Sequence, residues 1–295
     1  MIFPIILEMK RYIKVPTSLV SGLVSQSTLR LDGCSVIEQC IHSMQGSGTM
    51  FLEEHLLLFV LEGSNTLTYG KQTYVVGKNE MILLKKATAV RYEKKGNPEN
   101  DNIYDSLMFC LKDDILKEFL TKAEITVPRS DEEIKTTVNP MSDCLIAFAH
   151  SLKPYFNNPA EVNPRLLRLK IMELLFDVSH DSKNTFRQIL QLRQPVRADI
   201  REVVEQNYTN PVTLPELAYL SGRSLSSFKR DFMLVFNESP AMCIRNKRLC
   251  KAKEMLEISS LSVNDICFSV GFENLSHFSR IFKEHYGVPP SHYRK

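Results

Sequence analysis

Two arginines in the last third of the chain stand in the same setting. Arg230 lies two residues after Phe228 and two before Phe232, and Arg280 lies likewise between Phe278 and Phe282. Aromatic residues four apart share one face of a helix, so an arginine midway between them projects from another face. A guanidinium offers a rigid fork of donors that matches the O6/N7 edge of guanine, and serine hydroxyls serve bases or phosphates. The candidate set around each arginine is therefore Ser226, Lys229 and Arg230 in the first segment, and Ser276, His277, Ser279 and Arg280 in the second. Lys283, a point charge one residue past Phe282, suits a phosphate. Taken singly, these residues read as ordinary solvated helix surface. Their repetition at matched positions is the stronger signal.

The repetition extends to the elements that would position them. Thr213, Glu216, Leu217 and Gly222 match Ser262, Asp265, Ile266 and Gly271 at an offset of 49, and Phe228, Phe232 and Pro240 match Phe278, Phe282 and Pro290 at 50. Matching punctuation at this distance marks a duplicated supersecondary unit, with one residue inserted in the turn. In each unit a hydroxyl residue followed three positions on by a carboxylate predicts a capping box. The glycine predicts the positive φ that ends the helix. A second helix should start after Ser224 and after Asn274, pinned by its phenylalanines, which makes each unit a helix-turn-helix. Between the units, Ser239 and Pro240 predict the cap and first turn of a long helix. Ala241, Ile244, Leu249, Ala252, Met255 and Leu256 form its apolar arc, and Lys247 and Lys251 a basic stripe. Residues 240–257 would span about 27 Å at 1.5 Å per residue. That approaches the ~34 Å of one DNA turn, so a rigid helix of this length can hold two readers in successive major grooves.

With these residues in place, segment 195–295 resembles the DNA-binding domain of the AraC/XylS family of transcription regulators. The resemblance rests on Val263, Asp265, Ile266, Val270, Gly271, Phe272, Ser276, His277, Phe278, Arg280, Phe282 and Lys283, followed by Gly287, Val288, Pro289, Pro290, Tyr293 and Arg294. Arg248, Leu249, Ala252, Met255 and Leu256 match the family's linker helix. Cys267 replaces a usual alanine, Phe228 a usual leucine, and Asn237 a frequent glycine; asparagine also tolerates the left-handed conformation. The resemblance implies double-stranded DNA as partner, RNA polymerase as a second partner, and base contacts by the residues named above. It also implies that Arg248 and Asp265 form a structural ion pair.

The remainder is a different kind of chain. Lys and Arg number 14 against 11 Asp and Glu from residue 195 onward, and 23 against 23 before it, so the whole net charge of +3 sits in the last third. Residues 28–111 carry short apolar runs (56–61, 65–69, 72–76, 80–84, 87–93) punctuated by glycine, with a hairpin across Gly70 and Lys71. Run 56–61 is continuously apolar, as in a strand covered on both faces. Helices are expected at 113–122, at 140–156 with Pro140 in the first turn, and at 164–180 with Leu167, Ile171, Leu174, Leu175 and Val178 on one face. The expected fold is thus a two-domain α+β chain. Residues 1–180 form a cupin-like antiparallel β barrel with accessory helices, 181–194 a polar linker with a helical turn around 186–192, and 195–295 the all-α reader. The cupin likeness is one of architecture.

Phe59, Tyr69, Tyr74, Met81 and Tyr92 should line an apolar barrel interior, which favours a small apolar effector over a sugar. The alternative is control by a partner protein docking on this domain. Apolar residues around the whole of 164–180 point to a homodimer. His42 and His55 are isolated, so no metal or other cofactor is expected, and no nucleophile or phosphate-loop motif suggests an enzyme. The seven cysteines (34, 40, 110, 144, 243, 250 and 267) show no CxxC pair and read as reduced thiols of a cytoplasmic protein, with no signal peptide or membrane span.

Overall fold

The structure, a computed structural model, describes residues 12–16, 26–31, 34–43, 45–69, 72–125, 134–192 and 197–293. The chain divides into two compact units, one spanning Tyr12–Val196 and the other containing Arg197–Lys295.

The first unit has three layers. One sheet runs, in spatial order, β1 (Tyr12–Val15), β4 (Gly46–Leu52), β9 (Thr88–Lys95), β6 (Ser64–Tyr69) and β7 (Gln72–Val76). The other runs β11 (Val138–Pro140), β8 (Glu80–Leu84), β5 (His55–Glu62), β10 (Tyr104–Leu111), β3 (Cys34–His42) and β2 (Gln26–Leu31). From β4 to β10 the chain crosses between sheets repeatedly, and Gly63 makes one such crossing. Its φ is +78°, and a Cβ there would lie 2.4 Å from the carbonyl oxygen of Lys95.

The second sheet is covered on both sides. Leu56, Leu58 and Val60 of β5 face the first sheet, while Leu57, Phe59 and Leu61 face the helices. This is why β5 reads as an unbroken apolar run. β9, by contrast, alternates, with Arg91, Glu93 and Lys95 exposed and Val90 buried. The helical layer comprises α1 (Asp113–Lys122), α2 (Asp143–Leu152), α3 (Pro164–Asp181) and α4 (Lys183–Leu192).

Three expectations are corrected here. The strands form two open sheets rather than a closed barrel: β1 and β7 border one, β11 and β2 the other, and β1 pairs parallel to β4. Pro140 does not open a helix but ends β11, pairing with Glu80, and α2 begins after the cap Ser142. The expected linker 181–194 is largely α4, whose Ile189 and Leu192 are buried in the core of the first unit. The β6–β7 hairpin forms in the expected register, Tyr69 opposite Gln72, while its turn at Gly70 and Lys71 lies outside the described residues.

The second unit is helical: α5 (Ile200–Asn207), α6 (Leu214–Leu220), α7 (Leu225–Phe236), α8 (Pro240–Ile258), α9 (Val263–Ser269) and α10 (Leu275–Tyr286). It has two cores joined by one helix. Cys243 and Ile244 of α8 pack with Leu217, Phe228 and Phe232, whereas Leu249, Ala252, Met255 and Leu256 pack with Ile266, Phe278 and Phe282. The 19 residues of α8 therefore fix the separation of the two helix pairs.

Candidate nucleic-acid interface

Local chemistry sets each helix pair. Thr213 and Ser262 both close capping boxes, with Glu216 and Asp265. Gly222 (φ +65°) and Gly271 (φ +93°) make the turns. Ser224 caps α7 by accepting from the amide of Ser227, and Asn274 caps α10 by accepting from that of His277. Asn237 ends α7 in the left-handed conformation, φ 54°, doing the work of the glycine it replaces. Phe228, Phe232, Phe278 and Phe282 are fully buried.

The opposite faces of α7 and α10 are therefore turned outward. Ser226, Lys229, Arg230, Ser276, His277, Arg280 and Lys283 are exposed and Ser279 is half-buried. The two arginines are held by neighbouring carboxylates. Arg280 donates to Glu284 at 2.9 Å, and Arg230 reaches Asp231 at 3.3 Å and Ser227 at 3.5 Å. Asp231 also accepts from Arg223 at 3.2 Å. Against the desolvation of its setting, these two guanidinia hold its carboxyl below the usual range.

Sequence reasoning missed Arg223, which also donates to the carbonyls of Ala198 and Ser221 and so ties the segment before α5 to the turn of the first helix-turn-helix. Its only signal is a charge directly after the turn glycine. The basic stripe on α8 is partly spent on carboxylates. Lys247 pairs with Glu205 at 2.6 Å, which raises its pKa, and Lys251 pairs with Glu254 at 2.9 Å.

The expected Arg248–Asp265 ion pair is replaced by other partners for both side chains. Arg248 donates to three main-chain carbonyls: Tyr208 at 2.5 Å, Gly271 at 2.7 Å and Asn210 at 2.9 Å. Asp265 instead accepts from the amide and hydroxyl of Ser262. The end of α5 and the turn glycine present carbonyls where the sequence suggested a carboxylate. Beside this clamp lies a groove of about 520 Å³, lined by Thr213, Leu214, Arg245, Arg248, Asn274 and His277 among others. It separates the starts of α6 and α10.

The interior of the first unit departs from the apolar expectation. Between the sheets, Val60, Leu67, Ile82 and Met108 pack beside buried Glu38, Asn65 and Ser106 and beside Lys94. Tyr69, Tyr74 and Tyr92 do reach this core, but Phe59 and Met81 belong to the helix side. Burial pushes Glu38 up to about 7, with Lys94 opposing. His55 is buried and accepts from the amide of Lys86, and desolvation pushes it down to about 3. Among the described residues no cluster of His, Cys, Asp and Glu is placed to hold a metal, and no helix is long and apolar enough to cross a membrane.

Known proteins resemble both units. A family model described as a helix-turn-helix domain matches residues 217–295, and one described as the ExsA N-terminal regulatory domain matches residues 55–189. The HTH-type transcriptional regulator GbdR of Pseudomonas aeruginosa is 26% identical over 130 residues, 44% of this chain and 35% of that protein. The HTH-type transcriptional regulator ExsA of the same species is 25% identical over 249 residues, 82% of this chain and 87% of that one. A solved structure of ToxT from Vibrio cholerae O395, bound to (E)-4-(8-methylnaphthalen-1-yl)but-3-enoic acid, is 14% identical with a TM-score of 0.42, covering 88% of this chain and 98% of that one. The chain thus spans about a third of the length of GbdR, though most of ExsA.

Two capped helix-turn-helix units thus share one connecting helix, in a chain whose other unit is β-rich. In both compact units the chain is similar to AraC-type helix-turn-helix transcription regulators.

Proposed function

We propose that this chain is a sequence-specific activator of transcription whose first unit senses a small molecule. The single observation that carries the DNA-binding part is the matched exposure of Arg230 and Arg280 on α7 and α10, helices fixed to the two ends of α8. Ser226 and Lys229 flank the first arginine, and Ser276, His277 and Ser279 flank the second as base or phosphate contacts, with Lys283 on the backbone. The protein acts in the cytoplasm as a homodimer and engages RNA polymerase beside its site. Footprinting on the DNA upstream of its own gene tests this reading. Two protected major-groove faces about 10 base pairs apart per protomer are expected, and protection of one groove only would refute the two-reader arrangement.

A second reading, control by a partner protein on the first unit, draws support from α3, where Leu166, Leu169 and Phe176 are exposed. A homodimer uses the same face, so a dimer that persists when this face is substituted would favour the partner.

A further inference from the structure

The space between the two sheets ends in a cavity of about 50 Å³, lined by Met50, Leu58, Asn65, Tyr92, Lys94 and Met108 among others. That is room for three or four waters, or for a molecule of about four to six heavy atoms. Its polar groups are few and specific. Asn65 is 2% exposed; its amide nitrogen donates to the hydroxyl of Tyr104 at 3.0 Å, and its carbonyl oxygen Oδ1 is buried without a hydrogen-bond partner. A buried acceptor left this way requires a donor from whatever fills the cavity. Lys94 lies directly opposite Asn65 in the β6–β9 pairing. Its ammonium is drawn inward, 3.1 Å from the sulfur of Cys40 and 5.1 and 5.5 Å from the rings of Tyr92 and Tyr104. Among the described residues the lining thus holds one cation and no carboxylate.

The strand opposite makes the room. Gly46 and Gly48 of β4 pair with Lys94 and Tyr92, and a Cβ at Gly48 would sit 2.8 Å from the Tyr92 hydroxyl. The tyrosine ring therefore lies against bare backbone instead of being pushed across the cavity.

We propose that this cavity is a binding site for a short 2-hydroxycarboxylate, with Lys94 receiving the carboxylate and Asn65 Oδ1 accepting from the hydroxyl. This deepens, and rests on, the reading of the first unit as a small-molecule sensor. Because Asn65 and Lys94 are cross-strand neighbours, the ligand's donor and anion must be adjacent, which the 2-hydroxy acid provides and a simple fatty acid does not. Met50, Leu58 and Met108 take its short apolar end. Glu38, whose charge Lys94 also feels, is shifted toward its neutral form by burial, so it offsets only part of the attraction of Lys94 for an anion.

The test is calorimetric titration of the full-length protein with lactate, lactamide and propionate at millimolar concentration. Lactate should bind, and removing its charge (lactamide) or its hydroxyl (propionate) should each weaken binding about tenfold or more, as should Lys94→Met. Lactamide binding as well as lactate would overturn the recognition by Lys94, and propionate binding as well would overturn that by Asn65. Binding of none of the three overturns the site as proposed. Because the ligand comparison needs no variant, a Lys94→Met protein that fails to fold leaves the outcome decidable. The sensor reading fails by a separate result: reporter transcription that stays constant across growth substrates, whatever the three probes do.

Discussion

The guanidinium of Arg248 closes over the turn of the second helix-turn-helix by donating to the carbonyl of Gly271 at 2.7 Å. The contact is tight on both sides. A Cβ at Gly271 would lie 3.0 Å from Cζ of Arg248 and 2.8 Å from the carbonyl of Thr209, at a φ of +93°. The same guanidinium reaches Tyr208 and Asn210 beyond the end of α5, so one side chain of α8 ties the first helix pair's lead-in segment to the second pair's turn. The relative placement of the two readers thus depends on a charged side chain bonded to main chain.

Arg248→Ala should therefore destabilise the second unit by about 2–3 kcal/mol, since charge-assisted bonds are lost and carbonyls are stranded. Arg248→Lys should recover little, because an ammonium cannot reproduce the planar fork. Asp265→Ala should cost only about 1 kcal/mol, the worth of a cap. Hydrogen exchange of α9 and α10 amides reads these differences. Equal costs at 248 and 265 would restore the ion pair as the organising contact.

Arg230→Ala and Arg280→Ala should each lose about 1–3 kcal/mol of affinity on the cognate site and relax the preference for guanine there. Lys283→Ala should weaken binding to every sequence alike and reduce the salt slope by about one. Gel-shift titrations at several salt concentrations separate the two patterns. Glu284→Gln should modestly raise affinity, because Arg280 would no longer have to leave a carboxylate 2.9 Å away.

The second unit was legible because its signals are local. Caps, turn glycines and paired phenylalanines lie within a few residues of what they organise, so Thr213, Gly222, Phe228 and Phe232 declare their roles from sequence alone. What failed involves groups brought together from afar. An arginine on an apolar arc needs partners, but nothing near Arg248 in sequence says that these are carbonyls more than twenty residues away. Residues 181–194 read as a linker because their polarity is high, yet Thr185, Gln188 and Gln191 are buried along with Ile189. The charged interior of the first unit was hidden for the same reason. Lys94 and Asn65 meet only through strand pairing, and period-2 patterning does not say which face a lysine near a strand end will take.

On α3, Leu169 is 60% exposed and lies on one side of the helix with Leu166 and Phe176. Burying that stripe against a second copy would gain about 1.5–3 kcal/mol per large side chain. Leu169→Glu should shift the full-length protein from dimer to monomer at micromolar concentration, as read by sedimentation velocity, without altering its circular dichroism. An unchanged dimer would move the interface off α3.

Glu38 predicts the pH dependence of the first unit. Its folded pKa is raised by burial to about 7 from 4.5, so between those values the folded state binds more protons than the unfolded state. Stability from this group is therefore fully present below about 4.5 and lost as pH rises toward 7. The side chain is 1% exposed, so the effect is felt, at a scale on the order of 2 kcal/mol. Glu38→Gln keeps the shape and removes the titration. It should raise the unfolding temperature at pH 8, have little effect at pH 4.5, and flatten the slope between. His55 acts in the other direction. Its folded pKa is lowered to about 3 by desolvation, so stability from His55 is present above 6.5 and falls away as pH drops toward 3. The Glu38→Gln protein should then show mainly the acid-side loss. Melting curves of the two proteins across pH 4 to 9 check both signs, and identical slopes above pH 5 would mean that Glu38 ionises in the folded state as it does in the unfolded one.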